Sequence, residues 1–225
     1  EYQCAGFLYT YDERGNQNTL HYWGPDGSMI SRIGGYGYAQ ETTAYDSFGN
    51  PVRGSFLDRE GNPTVWQERG DASYVGRYEN GRRTEVQYCD LEGNPVLRKE
   101  YGYATVKTEY DEFGQQISVS YLGKWGQPVF NREENCAGFR YAYDEKGNQT
   151  DIWYVGLDGK AMIRTDRGYA HIHSEYDDMG YAVKTSYFDQ EENPVAIKEG
   201  GYASVTSVYQ DDQCVEEHYY DVEGK

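Results

Sequence analysis

A chain of 225 residues with 21 Lys plus Arg against 38 Asp plus Glu carries a formal charge of −17, which argues against nucleic acid and anionic membranes as partners, because both need cations to neutralise phosphate. Leu, Ile, Val and Phe total only 36 residues, a level at which a charged chain stays disordered unless something else fills the core, and the 25 tyrosines are the available substitute. No run approaches the roughly 18–20 apolar residues of a membrane span, and residue 1 opens no basic and apolar leader pattern.

In chain order, the first predicted element is a strand over 5–11, where Ala5, Phe7, Tyr9 and Tyr11 recur with period 2. The segment Tyr11-Asp12-Glu13-Arg14-Gly15-Asn16 follows as a hairpin turn, with Asp to cap it and Gly to take positive φ. A second strand ends at Tyr22, with Leu20 on the same face. A second acidic turn comes next, and a more variable stretch, read as a short third strand or a loop, leads to Gly37-Tyr38-Ala39. The pattern then starts again.

Its first tyrosine recurs at Tyr11, Tyr45, Tyr78, Tyr110, Tyr143, Tyr176 and Tyr209. A second aromatic recurs at Tyr22, Phe56, Tyr88, Tyr121, Tyr154, Tyr187 and Tyr220. The third unit is one residue shorter, and the loss falls in its first turn, leaving Tyr78-Glu79-Asn80-Gly81 with the Asn-Gly pair of a two-residue hairpin. Pro63, Pro95, Pro128 and Pro194 mark an edge or a strand start after the second turn, since proline cannot donate to a central ladder.

A hairpin unit of this size cannot bury both faces alone, so neighbouring units must cover one another. The expected fold is all-β, a solenoid or spiral of stacked hairpin repeats, with a closed propeller-like ring as the alternative. Residues 1–225 read as one continuous repeat domain, six complete units and part of a seventh, cut from a longer protein. The seven first tyrosines are the expected structural ladder, packing from unit to unit. Cys4-Ala5-Gly6-Phe7 returns as Cys136-Ala137-Gly138-Phe139, four units on, which points to duplication of a four-unit block.

No single place gathers a nucleophile, a base and an orienting group, so no enzyme, catalytic residue or cofactor is expected. Asp12, Asp46, Asp111, Asp144 and Asp177 recur at turn positions and read as turn caps. His171 and His173 lie i, i+2 on one strand face with no evident third ligand, so no metal is assigned. The acidic turns match neither the EF-hand nor the β-roll calcium pattern. Cys4 and Cys136 occupy equivalent slots, and layers about 10 Å apart would hold them beyond disulfide reach, leaving free thiols or an unexpected curl of the chain. Trp66 and Trp125 break the repeat and are the leading ligand-binding candidates; Trp23 and Trp153 flank strand tyrosines and are the second pair.

The Tyr-Asp-x-x-Gly-Asn turns at 11–16, 45–50 and 143–148 resemble the YD repeats of the RHS family of bacterial surface and toxin proteins. That resemblance implies spiralling hairpin sheets, some of which enclose toxins. The unit is also similar, more weakly, to the aromatic hairpins of choline-binding and clostridial toxin domains, although their Gly-Trp and Trp-Tyr-Tyr signatures are missing. The expected function is a non-catalytic, extracellular or bacterial surface module that binds a host protein (mucin or immunoglobulin among the candidates) or a cell-surface glycan through many equivalent contacts. A stalk or spacer without a ligand is the alternative, and an RHS-like toxin shell segment a more distant one.

Overall fold

The computed structural model describes residues 4–31 and 37–225. Fourteen antiparallel strands form seven hairpins: β1 Gly6–Tyr11 with β2 Gln17–Trp23, β3 Gln40–Tyr45 with β4 Pro51–Leu57, β5 Ser73–Glu79 with β6 Arg82–Cys89, β7 Thr105–Tyr110 with β8 Gln116–Leu122, β9 Gly138–Tyr143 with β10 Gln149–Val155, β11 His171–Tyr176 with β12 Ala182–Phe188, and β13 Ser204–Gln210 with β14 Gln213–Tyr220. Strand order follows sequence order, and no helix occurs among the described residues. Each repeat contributes two strands, not the four of a propeller blade. The hairpins are joined edge to edge by backbone pairing, as in Thr19↔Thr42 and Ser186↔Ser204, and are not layered face to face at 10 Å. Cys4, Cys89, Cys136 and Cys214 are free thiols.

The variable stretch is a loop. It touches the preceding strand through single bridges such as Leu57↔Pro63 and Phe188↔Pro194. The residue after the proline makes the hydrogen bond that proline cannot, as Thr64 N–H does to Phe56 C=O at 2.9 Å and Val195 N–H to Tyr187 C=O at 3.0 Å. The loop then lays its tyrosine over the sheet. Contacts divide the chain into two compact units, 1–108 with 121–133 and 109–120 with 134–225.

In the first unit the core is Tyr22, Tyr38 and Phe56, with Leu20, Ile30 and Trp66 packed around them. Tyr38, the tyrosine of the Gly-Tyr-Ala motif, is wholly buried, its ring 5.9 Å from Tyr22 and 4.8 Å from Phe56. Farther along, Tyr103 does the same between Tyr88 and Tyr121. At the intervening repeat Asp71 stands in the slot before alanine, fully buried, and pairs with Arg69 at 2.9 Å. Burial pushes the Asp71 carboxyl up against the opposing pull of Arg69 and Arg98. The Arg69 guanidinium lies 4.2 Å from the Trp66 ring and that of Arg98 4.9 Å from Tyr88, so cations over ring faces stand in for the absent tyrosine.

The second unit repeats the scheme with Cys136, Tyr154 and Tyr169 as its buried set, extended by Tyr187 and Tyr202. Burial pushes the Cys136 thiol up to about 11, which keeps it protonated and inert near neutral pH. Arg164 covers Tyr154 at 4.9 Å and is held by Asp166 at 2.6 Å.

Candidate functional site

Five of the seven first turns, in the first, second, fourth, fifth and sixth hairpins, are each built by one aspartate. Asp12 accepts from the N–H groups of Arg14 and Asn16, both at 2.9 Å, and Asp46 accepts from Phe48 and Asn50 at 2.8 and 2.9 Å. Asp111, Asp144 and Asp177 repeat the bonds. The Asn16 and Asn50 side-chain bonds hold the Asp12 and Asp46 carboxyls below the usual 3.8. The turn geometry throws the residue two after the aspartate outward. In the second, fourth and sixth hairpins that residue is apolar: Phe48 is 89% exposed, Phe113 77% and Met179 76%. In the first and fifth it is a cation that grips the next turn, Arg14 on the Ser47 carbonyl at 2.8 Å and Lys146 on Asp178 at 2.7 Å.

The first tyrosines lie along this edge. Tyr45, Tyr143 and Tyr176 each donate a phenolic hydrogen bond to a carbonyl of the preceding hairpin, on Gln17, Gln116 and Gln149 at 2.7–2.8 Å. Tyr209 stacks on Tyr181 at 4.7 Å, Tyr11 is exposed, and Tyr78 and Tyr110 are half-buried. Tyr45, Tyr143 and Tyr176 thus stitch hairpins at the turn end, while the buried rings are Tyr22, Phe56 and Tyr154 with the Gly-Tyr-Ala tyrosines Tyr38, Tyr103 and Tyr169. The stretch before the latter varies in composition and carries no period-2 alternation, so their burial leaves no local signal.

The four tryptophans fall into different surroundings. Trp66 is packed in the first core, 5.2 Å from Tyr38 and 5.1 Å from Phe56, with Arg69 on its face. Trp125 is 88% exposed at the tip of the fourth second-turn, in the slot filled by Asp26, Glu60, Glu92, Asp158 and Glu191 in other turns. Trp23 is half-buried at the end of β2. Trp153 stacks on His171 at 4.5 Å and 16°, and its indole N–H donates to Glu192 at 3.2 Å. The tryptophans do not converge on one place. Trp125 is the one that offers an open ring face, and Phe48, Phe113 and Met179 form the set that the period-2 strand argument missed, because their exposure depends on turn geometry.

No family model matches this chain, and no curated protein matches it. Among solved structures, it is similar to the crystal structure of TcdB2-TccC3-Cdc42 over 91% of its length at 13% identity, with a TM-score of 0.29, and to that of TcdB2-TccC3-TEV over 95% at 12% identity, with a TM-score of 0.27. It spans 13% and 14% of those chains.

Proposed function

We propose that this chain is a non-enzymatic attachment module of a secreted or surface bacterial protein of the YD-repeat kind, and that its turn tips bind a host protein or surface glycan multivalently. The observation that supports the reading is the outward apolar residue at equivalent first-turn slots, Phe48, Phe113 and Met179; Trp125, where other second turns carry an acid, lies past the other end of β8 and would be a separate contact. Asp46, Asp111 and Asp177 cap the turns that carry Phe48, Phe113 and Met179, so the outward placement of these three follows from the turn. Phe113 and Met179, both in the second unit, are separated by four strand spacings, about 19 Å, too far to serve one small ligand and suited to a repeating or extended partner surface. Weak contacts linked on one chain gain about 10²–10⁴ in avidity over a single contact.

Binding of the chain to arrays of glycans, mucins and immunoglobulins tests the proposal. A hit should be weakened by Trp125→Ala and nearly lost when Phe48, Phe113 and Met179 are all changed to serine, with the thermal midpoint almost unchanged because none of the four is packed in the core. Trp66→Ala should instead lower the midpoint. No hit across the arrays, or hits indifferent to the tip variants, would return the chain to a ligandless stalk.

A further inference from the structure

Asp151 on β10 pairs directly with His173 on β11, and the next non-hydrogen-bonded step of the same face places Trp153 opposite His171. His171 is 6% exposed, between the rings of Trp153 and Phe188. One Asp151 oxygen lies 2.9 Å from His171 Nε2 and 2.7 Å from His173 Nδ1. The other nitrogen of His171, Nδ1, lies 2.6 Å from Glu192. A carboxylate therefore stands at each nitrogen of His171, and its Nε2 shares one Asp151 oxygen with His173 Nδ1.

We propose that Asp151, His171 and His173 form a binding site for a zinc-class divalent ion, with Glu192 as the carboxylate that orients His171. One ligand atom from each of His171, His173 and Asp151 lies within 4.8 Å of the others, a span that a tetrahedral ion with bonds of about 2.0–2.2 Å would draw together. Two imidazoles and one carboxylate favour zinc and other late first-row ions over calcium or magnesium, which prefer oxygen donors. Glu192 fits the orienting role that a carboxylate takes behind a metal-bound histidine. It also occupies a costly position: its φ is 64°, where the equivalent turns carry glycines such as Gly126 and Gly159. A non-glycine residue in that region is strained, and strain of this kind is retained where surrounding interactions demand it. The ion would join the fifth hairpin to the sixth through side chains, beside the backbone pairing, and leave its fourth position toward solvent at the half-exposed His173.

The test is calorimetric titration of the untagged chain, stripped with chelator, using Zn²⁺, Co²⁺ and Ca²⁺, with the Co²⁺ visible spectrum as a second readout. One equivalent of Zn²⁺ and Co²⁺ should bind, with a tetrahedral-type Co²⁺ spectrum, and Ca²⁺ should not compete. Asp151→Asn and His173→Gln should each weaken binding at least about tenfold, and Glu192→Gly about 10–100-fold. Because Glu192→Gly also relieves the positive-φ strain, circular dichroism should show its fold intact. No saturable Zn²⁺ or Co²⁺ binding by the intact chain, or binding of unchanged strength in Asp151→Asn and His173→Gln, overturns the assignment.

Discussion

Two cells of the sheet, offset by two repeats, pair the same strand positions and hold different chemistry. In the first unit Glu85 faces Lys107, with Gln87 opposite Thr105 beside them; in the second, Asp151 faces His173, with Trp153 opposite His171. Glu85 reaches Lys107 at 3.6 Å and Arg77 at 3.3 Å, both through long, solvated side chains. The Asp151 cell uses short, stiff side chains with a stacked indole behind and a turn carboxylate above. At these two junctions the backbone register brings the same four positions together, and side-chain length and stiffness decide whether they form a surface ion pair or a preorganised ligand set.

The largest change expected is a gain. Glu85→Asp with Thr105→His and Lys107→His, and Gly126→Glu added as the orienting group, should create a second Co²⁺ site, doubling the stoichiometry in the titration above; a stoichiometry left at one equivalent would show that more than register makes the native cell. Next in size is the loss of a ring beneath each cell. Tyr154→Ala should cost about 3–5 kcal/mol by denaturant unfolding and the half-buried Tyr88→Ala less, since the cavity left behind scales with what was packed there. Glu85→Gln should cost under about 1 kcal/mol and vanish in high salt, as solvated ion pairs do.

The smallest effect is shared by both units and is read as thermal midpoint against pH. Side-chain bonds from asparagine hold Asp12, Asp46, Asp144 and Asp189 below 3.8 in the folded chain. The folded state therefore binds these protons less tightly than the unfolded one, so their stabilisation is full above pH 3.8 and is lost as pH falls through the lowered values. Asp71, raised by burial, acts with the opposite sign, and Asp71→Asn removes it from the profile. A midpoint flat from pH 5 to 2 in Asp71→Asn would refute the turn-cap contribution.

Strands and turns were legible because their signals are local: period-2 rings, an aspartate two and four residues from the amides it caps, glycine at positive φ. The histidine pair was legible for the same reason, being i, i+2 on one strand. Its third partner was not. Asp151 is some twenty residues earlier, and whether it faces His173 or its neighbour depends on how the intervening loop sets the register, since a slip of one residue would turn every side chain to the other face. Glu192 was equally hidden, because a turn residue reaching back over the preceding hairpins leaves no periodic trace.

Taken by itself, the order of residues determined that this chain is a series of tyrosine-rich hairpins with capped turns, since repeat length, alternation and turn chemistry are carried by neighbours along the chain. Only tertiary structure decided which rings are buried, which tips are bare and which acid meets the two histidines. Those outcomes depend on loops folding over the sheet and on pairing between hairpins, where the interacting atoms are distant in sequence and the free energy of burial, summed over many contacts, selects one register.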